Sequence, residues 1–169
     1  GISLEVQYRP PEYRLPEGRP PMIEANRDLC PQPMAGALTG LTFASWKMEP
    51  VLALLEKDYG IGPWEISGPE LHGIQDGIHS RGRTAVCRTM NLLLEVLEPQ
   101  GPADETDEVV RFLRKNGGNG VFSIHFTAPQ GVQALKAKRR VLFGSDHAGL
   151  LDYTEELGAY LKFVDTSAK

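Results

Sequence analysis

The chain has little sulfur chemistry to offer: two cysteines, Cys30 and Cys87, in 169 residues. They show no paired metal spacing and make no disulfide framework of the kind that holds small secreted domains together. Long apolar runs are missing too. No stretch approaches the roughly 20 residues that a membrane span needs, and the N-terminus lacks the basic-then-apolar pattern of a signal segment. Nor is there an excess of positive charge. Eighteen Lys and Arg stand against 22 Asp and Glu, a net charge of -4, which argues against nucleic acid as a partner. The basic run "KAKRR" (136–140) is short and reads as a solvated helix face. These absences predict a soluble, cytoplasmic protein whose partners include no nucleic acid and no membrane. With 41% hydrophobic residues, the chain can still bury the core of one domain.

What is present divides unevenly. About half of the 13 prolines crowd into the first 35 residues, in "YRPPEYRLPEGRPP" and "CPQP". Proline fixes φ and gives no backbone donor, so residues 1–38 read as an extended N-terminal arm. From Gly40 the pattern becomes regular. "GLTFASWKM" reads as a strand, "EPVLALLEKDYG" as an amphipathic helix stopped by Gly60, and "IGPWEIS" as a short strand. "GPELHGIQDGIHSRGR" reads as a glycine-punctuated loop with one irregular strand or turn at most. "TAVCRTM" and "LLLEVLEP" pair as a hairpin about Asn91, ended by Pro99. "DETDEVVRFLRKNGG" is a helix with acids in its first turn and bases in its last. "GVFSIHFTA" is a strand, "PQGVQALKAKRR" a helix, "VLFGSD" a strand, and "LLDYT" with "GAYLKFVD" a final hairpin. Strand–helix–strand–strand–strand thus occurs twice, an α+β pattern over two modules.

One residue stands out against that pattern. Glu95 sits in the middle of "NLLLEVLEP", a run that otherwise reads as a buried strand. A buried carboxylate is costly unless a cation, a proton or a set of donors meets it. Alternation places Glu95 on one face with Leu93 and Leu97. On residues 121–128 it places Ser123 and His125 together, opposite Phe122, Ile124 and Phe126. Tyr160 and Lys162 share a face of the last strand.

Four segments in order, "GIGPWEI", "LLLEVLEPQGP", "FLRKNGGNGVFSIHF" and "DYTEELGAYLKFVD", resemble the vicinal oxygen chelate superfamily. The similar branch holds glyoxalase-like domains, bleomycin-resistance proteins and methylmalonyl-CoA epimerase. The resemblance implies a glyoxalase-like domain over residues 39–167, with module one at 39–99 and module two at 103–167. The implied fold is two βαβββ modules curled into an open, cup-shaped barrel. It also implies a homodimer, a small-molecule ligand, and a divalent metal held by one side chain from each of four strands. Here the second of those positions falls on Glu95. The first falls at Gly40, give or take two residues, where no histidine is in range. The third falls on Ser123 and the fourth on Lys162. With three ligands missing, the expected cofactor is none and the expected metal set is none, with a displaced metal site disfavoured.

The expected catalytic residues are therefore Glu95, His125 and Lys162, with the Lys162 ammonium neutralising Glu95 across the cup. Thr42, Ser123, Tyr160, Trp64 and His79 are the expected substrate-binding residues. His72, beside His79, and His147 read as surface residues, and no histidine pair has the i, i+4 metal spacing. The leading functional expectation is a metal-independent isomerase, epimerase or lyase acting by proton transfer on a small oxygenated organic molecule. Two alternatives stay open: a non-catalytic protein that sequesters a small molecule, and a metal-dependent lyase or epimerase whose site uses Glu95, His125 and a loop histidine.

Overall fold

The computed structural model describes residues 35–73, 79–89, 91–100, 107–137 and 140–166. The proline-rich arm lies almost wholly outside the described residues.

Strand β1 (Leu38–Ala44) leads into helix α1 (Met48–Tyr59). Met48 and Leu52, one helical turn apart, are the residues that α1 buries. The helix has no side-chain cap of its own; instead the Met48 N–H donates to Glu98 Oε2 at 2.5 Å. Gly60, at φ +64°, ends it, and the Gly60 and Ile61 N–H groups close on the Glu56 and Leu55 carbonyls. Strands β2 (Glu65–Gly73), β3 (His79–Thr89) and β4 (Leu92–Pro99) follow as an antiparallel meander. Asn91, with φ +66°, makes the turn between the last two.

Helix α2 (Glu108–Lys115) starts where the Asp107 carboxylate accepts from the Val109 and Val110 N–H groups. Then come β5 (Gly120–Ala128), the single turn α3 (Gln133–Lys136), β6 (Val141–Ser145), β7 (Ala148–Tyr153) and β8 (Ala159–Asp165).

The eight strands form one open mixed sheet in the order β2-β3-β4-β1-β5-β8-β7-β6. β1 runs parallel to β4 and β5 parallel to β8, whereas the other neighbours are antiparallel. The pairing pattern on one side of the β1–β5 contact therefore recurs on the other. Three apolar clusters hold the layers. Met48 and Leu52 of α1 pack on Ala85 and Val96, with Phe43, Val51 and Trp64 beside them. Val109, Phe112 and Leu113 of α2 pack on Ala44, Phe122, Leu150 and Tyr160. Phe112 meets Phe122 edge to face at 5.3 Å. Val132 and Leu135 cover Leu151 and Phe163. Each fully buried side chain of this size contributes about 1.5–3 kcal/mol.

Two sequence expectations are corrected. The segment read as a loop is mostly strand: β2 runs on to Gly73 and β3 begins at His79, with those two residues paired. An edge ladder is held by backbone hydrogen bonds and needs no apolar alternation, and Gly68, at φ +106°, serves a bulge between Ser67 and Glu70. The helix expected over "PQGVQALKAKRR" is one turn only. Val132 and Leu135 are its buried anchors, and the like charges that follow oppose continuation; residues 138 and 139 lie outside the described set.

Candidate functional site

Leu94 and Val96 are buried, and Val96 lies in the cluster under α1. Alternation therefore turns Glu95 to the opposite face of the sheet. The register then decides what it meets. Thr42 of β1 stands level with Glu95 on one side and with Ser123 of β5 on the other. His125 is two residues further along β5, level with Gly40 and, on its other side, with Lys162 of β8. Four strands thus bring the named side chains to the middle of the sheet.

The contacts are short and continuous. The Thr42 hydroxyl donates to Glu95 Oε2 at 2.7 Å and lies 2.8 Å from His125 Nε2. Ser123 Oγ lies 2.9 Å from the same nitrogen. His125 Nε2 and Glu95 Oε2 are 3.8 Å apart. The His125 side chain is 4% exposed and that of Glu95 22%, so Glu95 is the member of the group that solvent or a ligand can reach. Gly40 makes this possible: a Cβ there would stand 2.9 Å from His125 Nδ1 and would also strike the Leu93 carbonyl. The ring lies where a side chain on β1 would otherwise be.

Burial, and then the Lys162 ammonium, push the His125 pKa down from 6.5 to about 4, against the opposing pull of Glu95. The ring is neutral at pH 7. The group is not a nucleophile–base–acid relay, because Ser123 and Glu95 approach one and the same ring nitrogen, whereas such a relay needs a different nitrogen for each.

The structure gathers Glu95, His125, Thr42 and Ser123, and sets the backbone of Lys162 beside His125. The other expected site residues stand elsewhere. Lys162 makes no ion pair with Glu95 among the described residues; what waits for Glu95 is the Thr42 hydroxyl, with His125 behind it. The Lys162 ammonium disfavours the charged form of the His125 imidazole. Tyr160 is buried beneath α2, its ring 4.8 Å from that of Phe122, and its hydroxyl donates to Glu108. Burial first, then Glu108, raises its pKa. Strand alternation assigns a residue to a face but does not say that a helix covers that face near the start of β8. Trp64 packs against the α1 cluster, and its indole N–H donates to the Ile61 carbonyl at 3.0 Å. His79 begins β3, and its side chain, like that of His72, lies outside the described residues. His147 is exposed, 3.4 Å from Asp165, whose other carboxylate oxygen accepts from the Val132 N–H ahead of α3.

An open mixed sheet with this strand order is a fold found among solved structures. Solved methylmalonyl-CoA epimerases share it. A Streptomyces coelicolor methylmalonyl-CoA epimerase in complex with 2-nitronate-propionyl-CoA superimposes with a TM-score of 0.52 at 21% identity, over 79% of this chain and 99% of that one. A methylmalonyl-CoA epimerase in complex with methylmalonyl-CoA and NH4+ gives 0.53 at 17% identity, over 79% and 96%. The Mycobacterium tuberculosis methylmalonyl-CoA epimerase gives 0.51 at 12% identity, over 79% and 90%. No protein-family profile matches the sequence, and no curated protein matches it.

Proposed function

We propose that the protein is an isomerase or epimerase that moves a proton at a carbon acid, in a small oxygenated molecule held against the face of the sheet that carries Glu95. Glu95 is the base. Lys162 holds a substrate carboxylate or the enolate oxygen, and no divalent metal takes part. The observation that carries this reading is the pairing of a partly exposed carboxylate with a buried, neutral His125 through Thr42. In the reaction the C–H bond breaks, the proton passes to Glu95, and its electron pair moves to the adjacent carbonyl oxygen. Returning the proton to the carbon regenerates the base, and the configuration inverts when the planar enolate turns its other face to Glu95 before the proton returns.

The donor set supports working without a dication. An ammonium at one former ligand position has no lone pair and repels a metal ion. Serine stands at another, and His125 Nε2 is engaged by two hydroxyls. Among the described residues no three His, Cys, Asp or Glu side chains group as metal ligands. The solved epimerases support the reaction class by sharing the fold, and methylmalonyl-CoA is the natural first substrate to test.

The test is proton exchange in deuterated water, with methylmalonyl-CoA, simple malonyl-type thioesters and α-hydroxyketones, before and after treatment with a chelator. Protein-dependent deuterium at the carbon next to the carbonyl, unchanged by the chelator, is expected. Lys162→Met is expected to weaken carboxylate-bearing compounds at least tenfold more than neutral ones. Tight binding of these compounds with no exchange would make the protein a sequestering protein, and exchange lost with the chelator would restore a displaced metal site.

A further inference from the structure

Thr42 Oγ1 has two neighbours at hydrogen-bond distance, Glu95 Oε2 at 2.7 Å and His125 Nε2 at 2.8 Å. A hydroxyl has one proton to give, and an ionised carboxylate can only accept. The Thr42 proton is therefore committed to Glu95. The second contact is then a hydrogen bond only if the ring supplies the hydrogen, which places it on Nε2 and leaves Nδ1 as a bare lone pair. Ser123 Oγ, at 2.9 Å, is a second acceptor for that same N–H. Among the described residues the Glu95 carboxylate is hydrogen-bonded through Oε2 alone.

We propose that Thr42 is a positioning residue: it selects the Nε2–H tautomer of His125 and pins Glu95 Oε2, leaving Oε1 as the oxygen that exchanges a proton with the ligand. This rests on Glu95 being the base named above. The charges that face His125 are Glu95 from β4 and Lys162 from β8, while β1 brings only Thr42 and Gly40. The ring stays uncharged at neutral pH, so a choice between two neutral tautomers is what remains to be fixed. Protonation at Oε1 leaves the Thr42 bond intact, and the base takes up and releases its proton without rearranging what holds it.

The experiment is nitrogen NMR of the histidine rings at pH 6.5–8, with His125 assigned from a His125→Gln spectrum and compared in wild type, Thr42→Val and Thr42→Ser. Wild type is expected to show Nε2 protonated and Nδ1 bare. Thr42→Val keeps the branched shape but removes the bridge, and a mixture of tautomers is expected; Thr42→Ser is expected to restore one. In the exchange assay Thr42→Val is expected to lower kcat about tenfold with little change in KM, and Thr42→Ser to recover most of it. An Nδ1–H ring in wild type, or a valine variant with an unchanged tautomer, overturns the proposal. A wild-type protein without exchange overturns the function above, while the ring spectra still decide the role of Thr42.

Discussion

Replacing Glu95 by glutamine is expected to slow deuterium exchange about 10²- to 10⁴-fold, the usual contribution of a positioned general base. The substitution is chosen so that the loss is chemical. Glutamine keeps the length of the side chain, and its carbonyl oxygen still accepts the Thr42 proton that Glu95 Oε2 accepts at 2.7 Å. The side chain is 22% exposed, so an amide there meets water and leaves no stranded polar group. Stability in urea is expected to change by less than about 1 kcal/mol. If exchange persists within a factor of about three, another group takes the proton and Glu95 is only a polar filling of the sheet.

The second large effect is on stability in mild acid. The folded chain holds His125 neutral down to about pH 4, whereas the unfolded chain protonates it near 6.5. Between those values the unfolded state binds more protons, so stability falls as pH drops through the window and is restored as it rises. The full gap corresponds to roughly 3 kcal/mol. Urea unfolding at pH 7 and pH 4.5 is expected to show most of this loss in wild type, and His125→Gln is expected to abolish it. Should the glutamine variant lose as much stability in acid as wild type, His125 charges freely in the fold and the buried network is misread.

The sequence made much of this site legible. Its leucine-rich run set Glu95 apart, and period-two alternation put Ser123 with His125, opposite Ile124 and Phe126; Phe122 departs from that alternation, because a bulge in β5 turns its ring beneath α2 beside Tyr160. The succession of strands and helices along the chain was legible in the repeated pattern, whereas their order across the sheet was not read from it. What stayed hidden was which neighbours cross-strand register would create. Thr42 stands level with both Glu95 and Ser123 because β1 is paired on two sides at once, and a pattern read along one strand carries no such information. For the same reason no direct Lys162–Glu95 ion pair is found among the described residues: register sets Lys162 level with His125. Tyr160 was placed on a face, but α2 covers that face and takes its hydroxyl to Glu108. The helix expected over residues 129–140 was too long: residues 129–132 form a turn ahead of the single helical turn Gln133–Lys136.

The two halves of the sheet meet along one strand pair, β1 with β5, and the bridge from Thr42 to His125 crosses that seam. Neither half owns the site. Either half alone carries the Glu95 carboxylate or the His125 imidazole but not both, so their shared contact with Thr42 exists only once the halves are docked. The environment of His125 is therefore a direct readout of docking between the halves.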